Sequence, residues 1–476
     1  MEPEFSDQFG VVREFAGVDL GDARRAKRLR RIVTQLDQQP ATPFPQALLS
    51  EADLEGFYRF VRNEEVTLDA LLAPHSTATV ERAVEYNEAL AVHDTSEFRF
   101  GGNREGLGRL MQSGHGFLGH FTQLVSADGL RSPLGTIAVE TWTRHEPTPS
   151  ALNRQKKITY AQMHAMPSEQ DRWLRGVAAA ENAAAGRVSL IHVMDSEADD
   201  YALMAGLVEA GRRWVIRLCY DRILADIEAG EPPKAKELVA QCAVACTRDV
   251  SLSRRRKQVG PARRRRGRPR DERIARLAIK ATPAVFRAPS YIRDNPTRLA
   301  VNIVSAVEVE PPEDAEPIEW LLITTEPIDT HEQILKVIDI YRARWVIEEF
   351  FKALKTGCAI EQRQLESKQT ILNALGMMLP IAWRLLHLRT LSRTAEGQPA
   401  RLVLTELELQ VLRRASKTPL PADPTVMDVL LAVARVGGHL RSNGAPGWRV
   451  LGRGYQDLLM MVAGFRLAMA ASCDQS

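Results

Sequence analysis

Four side chains between positions 341 and 355 have types and spacings that suit chemistry on a nucleic-acid backbone. Tyr341, Arg344, Glu348 and Lys355 lie at offsets of zero, three, seven and fourteen residues. On a helix turning about 100° per residue they fall near about 0°, 300°, 340° and 320°, within roughly 60° of one another. A carboxylate that can bind a metal would then lie beside two cations that can bind phosphate. An ordinary amphipathic helix with an Arg–Glu pair has the same pattern, so other parts of the chain must decide.

Two aspartates at the ends of predicted strands could complete a metal site with Glu348. Asp94 ends one short apolar run and Asp195 ends another, although most strand-end aspartates only cap turns. Such carboxylates can hold two divalent cations roughly 3.5–4 Å apart, which clamp the attacking and leaving oxygens of a phosphoryl displacement. Hard oxygen ligands suit Mg²⁺ and Mn²⁺. Glu349 is the competing third ligand, but it points about 100° away from Glu348 on the helix.

The elements predicted around these acids have the order of an α/β core. The first three strands are β-like runs, and a turn signal at Asp128-Gly129 joins the second to the third. A helix, a buried strand ending at Asp195, a second helix and a further strand, Arg213–Leu218, come next. Three antiparallel strands that lead into a helix and a parallel strand predict helices on both sheet faces. This order matches a ribonuclease H-like catalytic core.

Helical segments flank this core, and a β-like segment interrupts it. Residues 222–325 contain several β-like runs, after which Thr330 and Gln333 form a capping box for the helix that leads to Glu348. The sequence therefore predicts three units. They are a helical domain over 1–70, a catalytic domain over 71–365 with a mostly β insertion at about 222–325, and a helical domain over 366–476.

The charge of the chain is nearly balanced, but its basic residues cluster. The net charge is +3, from 63 Lys and Arg against 60 Asp and Glu. The run from Arg254 to Arg270 holds ten Lys or Arg residues and no acid, and the run from Arg24 to Arg31 is nearly as dense. Basic clusters on a balanced chain indicate a polyanionic partner bound at defined surfaces.

Composition also indicates the compartment. The five cysteines form no zinc-binding pattern, and we expect reduced thiols. The N-terminus has no signal-peptide pattern. The longest apolar run, Ile371–Trp383, contains Asn373 and Pro380 and is too short to span a bilayer. We expect a soluble cytoplasmic protein with no membrane partner.

The acidic residues also carry a resemblance to a known family. The Tyr341-x-x-Arg344-x-x-x-Glu348-x-x-x-x-x-x-Lys355 pattern resembles the signature of bacterial DDE transposases of the insertion-sequence-four family. The segments around the two aspartates resemble that family's aspartate motifs and occur in the same order. The likeness covers nearly the whole chain, through Leu20–Arg25, Tyr58–Asn63, Leu90–Thr95, Val193–Asp199, Trp320–Leu322, Val337–Lys355 and Ala434–Gly438.

The resemblance implies roles for individual residues. Asp94, Asp195 and Glu348 would be catalytic and would hold two Mg²⁺ or Mn²⁺ ions. Trp320 would stack on a base flipped from the transposon end, worth roughly 1–3 kcal/mol; the alternative is an ordinary core tryptophan. The full set of implied DNA contacts is Arg24, Arg25, Arg28, Arg59, Arg62, Arg217, Trp320, Tyr341, Arg344 and Lys355.

The resemblance also implies an activity and partners. We expect a cut-and-paste transposase in the bacterial nucleoid that binds the terminal inverted repeats of its element, cleaves them through a hairpin intermediate and joins the 3′ ends to target DNA. Double-stranded DNA and a second copy of the chain, in a synaptic complex, would be its partners. The alternatives are a catalytically inactive end-binding protein or inhibitor, and a metal-dependent nuclease without strand transfer.

Overall fold

The computed structural model describes most of the chain, in thirteen segments. They are residues 11–48, 50–102, 104–110, 114–144, 169–225, 233–252, 272–290, 292, 296–313, 315–394, 397–416, 418–440 and 446–473. The Arg-rich run at 254–270 lies outside these residues. The cysteines at 219, 242, 246 and 358 are free thiols.

A mixed β-sheet forms the centre of the protein. Its first six strands are β1 Glu88–Phe100, β2 Gly108–Arg109, β3 His115–Ser126, β4 Pro133–Trp142, β5 Ser189–Met194 and β6 Arg213–Arg217. Strand β3 pairs antiparallel with β1, β2 and β4, while β5 pairs parallel with both β1 and β6. This order confirms the predicted ribonuclease H-like core.

The inserted strands extend this sheet. They are β7 Cys246–Leu252, β8 Arg273–Arg287, β9 Arg298–Glu308 and β10 Glu319–Thr324. Strand β10 pairs antiparallel with β6 on one side and with β9 on the other. The β-like segments predicted in this region are therefore strands, and they form one continuous sheet with the core.

Helices cover both faces of the sheet and build the two ends of the chain. They are α1 Ala23–Gln38, α2 Phe44–Ala47, α3 Glu51–Val61, α4 Leu68–Val84, α5 Arg172–Ala184, α6 Tyr201–Glu209, α7 Ala235–Gln241, α8 His331–Ala343, α9 Trp345–Lys352, α10 Lys368–Thr394, α11 Glu406–Ala415, α12 Val426–Val436 and α13 Trp448–Cys473. The predicted capping box of Thr330 and Gln333 begins α8. In α1, Asp22 caps the first turn, and Leu29, Ile32, Val33 and Leu36 are buried.

Strand β1 is longer than the sequence predicts. The expected end at Asp94 is wrong, because the strand continues to Phe100. The polar residues after Asp94 suggested a strand end, yet Phe98 and Phe100 beyond them are buried and pair with β3. Only the parallel pairing with β5 ends early, at Val92.

Helix α10 passes through the interior of the protein. The segment Lys368–Thr390 is long and apolar enough to cross a membrane by length and composition, but 72% of its most apolar window is buried in the protein. The helix is longer than the apolar run seen in the sequence and includes Pro380. Burial of this kind is typical of a core helix in a soluble protein.

Candidate active site

Asp94 and Asp195 lie at the same edge of the sheet because their strands are parallel neighbours. The parallel pairing of β1 with β5 ends at Val92 opposite Val193. Each aspartate lies two residues beyond that pair. Asp94 is still within β1, opposite Phe121 of β3, and Asp195 directly follows β5. Both carboxylates therefore lie at the cleft where the two strands separate.

Each aspartate accepts a hydrogen bond from a nearby backbone N–H. The Thr95 N–H donates to Asp94 Oδ1 at 2.7 Å. The Glu197 N–H donates to Asp195 Oδ1 at 2.8 Å, because Asp195 caps the short 3₁₀ turn that follows β5. One oxygen of each carboxylate is thus oriented by the backbone.

Arg344 connects the third acid to Asp94. Its Nη2 lies 2.6 Å from Glu348 Oε1, and its Nη1 lies 3.8 Å from Asp94 Oδ2. The side chains are largely shielded, with 14% of Arg344, 17% of Asp94 and 29% of Glu348 exposed. Glu348 therefore lies on the same side of the sheet as Asp94.

Negative charge is concentrated at this edge. Burial, then the neighbouring Asp195, raises the pKa of Asp94 to about 7; Glu348 adds to this, and Arg344 opposes it. Burial and the nearby carboxylates together therefore favour the protonated form of Asp94. Such an arrangement attracts a cation.

The donor chemistry of the three acids fits Mg²⁺ or Mn²⁺, which prefer carboxylate oxygens. In the part of the chain that the structure describes, no group of three Asp, Glu, His or Cys side chains is close enough to hold a metal ion. Glu348 is paired with Arg344 instead. A divalent cation would have to compete with Arg344 for this carboxylate.

Lys355 reaches β1 from an irregular turn. The continuous helix expected through this region is wrong: α8 ends at Ala343, and α9 leads into a π-helical turn, Ala353–Gly357. π-Helical turns are frequent at functional sites. Lys355 Nζ donates to the carbonyl of Glu97 and lies 3.5 Å from Glu361 Oε1. Burial lowers the pKa of Lys355, against the effect of Glu361.

An aromatic pair lies beside the acids. Trp320 of β10 is half-buried, and its ring centre lies 5.6 Å from that of Tyr341 at an interplanar angle of 67°. Arg344 lies 6.0 Å from the same Tyr341 ring. Arg217 donates to the carbonyl of Glu319 at 3.1 Å, and its charge opposes the burial that raises the pKa of Tyr341. The structure thus brings together Arg217, Trp320, Tyr341 and Arg344.

The arginines of α1 differ in their surroundings. Arg24 is exposed. Arg28 is 40% exposed and lies 3.9 Å from Asp53. Arg25 turns back to donate to the carbonyl of Leu20 at 2.6 Å. Arg24 and Arg28 are therefore the freer of the three to meet an external anion.

The arginines around α3 are more exposed. Arg59 is 75% exposed, with a 3.6 Å contact to Glu55, and Arg62 is 57% exposed, with a 2.8 Å contact to Glu366. Arg62 also lies 5.9 Å from the Tyr58 ring centre. Surface pairs of this kind are weak, so both guanidiniums can exchange partners.

Glu349 has other partners. It lies 2.7 Å from Lys352 Nζ and forms an ion pair with Arg389 of α10. Its carboxylate therefore connects two helices, while Glu348 is the one paired with Arg344.

Arg172 and Glu197 are absent from the residues predicted from sequence. The Arg172 guanidinium lies 3.0 Å from both Glu197 Oε2 and Thr95 Oγ1. Glu197 could have been suspected as an acid two residues after Asp195. Arg172 has no distinguishing spacing from any acid, so only the fold reveals it.

Three sequence families match successive parts of the chain. Residues 11–66 match the family described as transposase DNA-binding, and residues 158–383 match the transposase DDE domain. Residues 380–474 match the transposase Tn5 dimerisation domain. The three matches cover α1 to α3, the part of the core from α5 onward, which includes Asp195 and Glu348, and the C-terminal helices.

A solved structure of a transposase is also similar. It is the cryo-EM structure of the piggyBac transposase synaptic complex with hairpin DNA. The likeness covers 85% of this chain and 77% of that chain, with 8% identity and a TM-score of 0.33. At this distance the likeness carries no argument about function.

Proposed function

Because this chain belongs to the DDE transposases and resembles the transposase of Tn5, we propose that it moves its own element by a cut-and-paste reaction. It is a DNA-cleaving enzyme, and its partners are DNA and a second copy of itself. The proposed substrates are the terminal inverted repeats of the element and a target duplex, held in a synaptic complex in the bacterial nucleoid.

One observation carries this proposal. The pairing of β1 with β5 brings Asp94 and Asp195 to one edge of the sheet, and Glu348 is linked to Asp94 through Arg344. Three acids from three elements at one cleft suit displacement at phosphorus.

We assign the binding of two Mg²⁺ or Mn²⁺ ions to Asp94, Asp195 and Glu348. When bound, such ions lower the pKa of an attacking water or hydroxyl and stabilise charge on the phosphate oxygens. Arg344 and Lys355 would hold phosphate oxygens beside the scissile bond. Backbone N–H groups already orient one oxygen of each aspartate, so little reorganisation is needed on reaction.

The proposed reaction is a series of in-line displacements at phosphorus. Water attacks one strand at the transposon end and releases a 3′-hydroxyl. This hydroxyl attacks the opposite strand, which forms a hairpin and frees the flanking DNA. A second water opens the hairpin, and the 3′-hydroxyl then attacks a target strand. One set of acids can serve each step, because the displacement is the same and only the positioned nucleophile changes.

The hairpin requires a sharply bent strand, and we assign Trp320 to stabilise it. Its half-buried ring could stack on a base flipped out of the transposon end, beside Tyr341. Arg217 would hold the adjacent phosphate. Stacking on an aromatic ring is worth roughly 1–3 kcal/mol per base.

We assign three functional units to the chain. Residues 1–70 would bind transposon ends through Arg24, Arg25, Arg28, Arg59 and Arg62. Residues 71–365 would carry the catalytic core, with its insertion at about 222–325. Residues 366–476 would hold two copies together. The DNA-binding match over 11–66 lies within the first unit and the dimerisation match over 380–474 lies within the third, whereas the DDE match runs over 158–383 and begins well after residue 71.

A plasmid assay tests the proposal. The full-length protein is incubated with Mg²⁺ and a supercoiled plasmid that carries the DNA flanking its gene on both sides, together with a second plasmid as target. We expect nicks, hairpins, excised fragment and insertions into the target. End binding without cleavage would instead identify an inactive end-binding protein or inhibitor. Cleavage without joining would identify a nuclease.

A further inference from the structure

Arg172 enters the site from the sheet face opposite to Glu348. Neighbouring residues of a strand point to opposite faces, so Asp94 and Thr95 differ in direction. Asp94 is contacted by Arg344 on one face. Thr95 is contacted on the other face by Arg172, the first residue of α5.

Each nitrogen of the Arg172 guanidinium has its own partner. Nε donates to Thr95 Oγ1 at 3.0 Å, Nη2 donates to Glu197 Oε2 at 3.0 Å, and Nη1 donates to the carbonyl of Glu169 at 2.6 Å. The side chain is only 8% exposed. Charge-assisted hydrogen bonds in a shielded position are strong and directional.

The two side chains that Arg172 joins belong to the residues that orient the aspartates. The Thr95 N–H donates to Asp94 Oδ1, and the Glu197 N–H donates to Asp195 Oδ1. Arg172 therefore connects β1 to the turn after β5 at the level of the two carboxylates.

Thr95 is itself held in place. Its hydroxyl also contacts His120 Nδ1 at 3.0 Å, and His120 is buried against Trp173 of α5. The link from Arg172 to β1 thus rests on a packed interior, while its link to Glu197 reaches a surface turn. Arg172 thus anchors an exposed turn to a packed strand, which makes it the restraint on Asp195.

We propose that Arg172 is a positioning residue that sets the distance and orientation between the carboxylates of Asp94 and Asp195 for metal binding. This inference rests on the proposed function, because it takes these two acids as metal ligands. Partners that orient metal ligands contribute about 10–100-fold to metal affinity or activity. Lysine cannot replace Arg172, because its single nitrogen cannot reach three partners in fixed directions.

Titration with Mn²⁺ tests this role. The full-length protein is titrated with Mn²⁺ while the free ion is followed by electron paramagnetic resonance, and unfolding is measured on the same samples. We expect R172Q and R172K to raise the Kd for Mn²⁺ by about 10–100-fold. R172K keeps the charge, so it should melt close to the parent protein and still bind Mn²⁺ weakly. Cleavage of the plasmid should recover in both variants at high Mn²⁺.

Arg175 provides the matched control. It lies one turn further along α5 and pairs with Glu140 of β4 at 2.7 Å, away from both aspartates. R175Q should leave the Kd for Mn²⁺ unchanged. If R172Q does not fold, T95V and E197A each remove one end of the link and should raise the Kd in the same direction.

The outcomes separate this inference from the proposed function. D195A should lose tight Mn²⁺ binding. If it does, and the variants at Arg172, Thr95 and Glu197 bind Mn²⁺ like the parent protein, then Arg172 is only a structural residue and the inference is wrong. If D195A binds Mn²⁺ normally, the assigned metal site itself is wrong, and the inference is lost with it.

Discussion

Asp94 is restrained from both faces of the sheet, and this explains how three like charges are kept together. Arg344 lies on one face and shares its guanidinium between Asp94 and Glu348. On the other face, Arg172 acts through Thr95. Burial, followed by the charge of Asp195, raises the pKa of Asp94 to about 7, and the cationic Arg344 opposes this rise. A bound divalent cation would remove the remaining repulsion.

Removing any one of the three acids should abolish DNA cleavage. D94A, D195A and E348A should each lower the cleavage rate by about 10⁴-fold or more, the scale on which loss of a central catalytic side chain acts. Binding of end DNA should persist, because the carboxylates would contact metal. Gel shifts and single-turnover cleavage on the same preparations provide the measurement.

E349Q is the matched control for E348A. Glu349 pairs with Lys352 and Arg389, so its replacement should affect stability and leave cleavage within a few-fold of the parent protein. Cleavage that survives in E348A and is lost in E349Q would show that Glu349 is the third ligand.

Replacing Trp320 should separate the steps of the reaction. W320A should nick the transposon end at a normal rate and slow hairpin formation about 5–150-fold, the equivalent of 1–3 kcal/mol of lost stacking. W320F keeps an aromatic ring and should be affected less. Quenched time points on labelled end duplexes resolve nicks from hairpins.

Thermal unfolding of the same variants tests the alternative role of Trp320. The ring is half-buried and makes an edge contact with Tyr341, so its loss should cost clearly less than the roughly 3–5 kcal/mol typical of a core tryptophan. A large loss of stability with all DNA steps slowed equally would make Trp320 a core residue.

At the level of elements, changes in α1 and α3 should alter the affinity for end DNA and leave the rate of DNA cleavage unchanged. R28Q and R59Q should weaken binding of end DNA, and each lost phosphate contact should lower the salt slope by about one unit. Cleavage of ends already bound should be unaffected. R187Q is the control, because Arg187 is exposed and lies just before β5, outside α1 and α3. Unchanged affinity in both variants would exclude these helices from the DNA interface.

The elements could be predicted better than their ends. Short apolar runs predicted β5 and β6, and capping residues predicted the start of α8. The continuation of β1 past Asp94 depends on pairing with β3, which is not local in sequence. The interruption at Arg344, a single residue that keeps helical dihedral angles, and the π turn at Lys355 are departures from the ideal helix that the spacing argument assumes.

Some residues of the candidate site could be predicted from the sequence and others could not. The three acids, Arg344 and Lys355 belong to recognisable patterns, and the structure places Arg344 between two of the acids. Arg172 belongs to no pattern, because its role depends on two strands that meet only in the fold.

At the scale of the whole molecule, buried polar contacts connect the N-terminal helices to the rest of the chain. Arg384 of α10 pairs with Asp37 of α1 at 2.7 Å and lies 5.2 Å from the Tyr455 ring of α13. Arg363 donates to backbone carbonyls of Pro40 and Thr42. Removing one partner of a buried ion pair is strongly destabilising. We therefore expect these segments to unfold together.

A second connection is sensitive to acid. Glu14, near the N-terminus, pairs with His75 and Arg82 of α4. His75 Nδ1 contacts Glu14, and its Nε2 accepts a hydrogen bond from the Thr136 N–H of β4 at 3.1 Å. His75 Nε2 therefore carries no proton, and the imidazole ring is neutral. Burial lowers the pKa of His75, against the effect of Glu14. Burial would raise the pKa of Glu14, but His75 and Arg82 lower it to about 2.

Both shifts predict that the protein loses stability in acid. In the unfolded chain His75 takes up a proton below about pH 6.5, whereas in the folded chain burial disfavours this protonation. The free energy of unfolding therefore falls as the pH drops below that value, by up to about 1.4 kcal/mol per pH unit for one proton. Glu14 contributes stability above its unfolded pKa of 4.5. That part is lost as pH falls from there through about 2. H75N removes the titrating ring, so it should be less stable than the parent protein at pH 7.5, and the difference should shrink, by at most about 1 kcal/mol, between pH 6.5 and 5.5. Urea unfolding followed by circular dichroism at pH 7.5, 6.5 and 5.5 measures this. A difference that stays constant over the three values would mean that His75 does not take up a proton on unfolding.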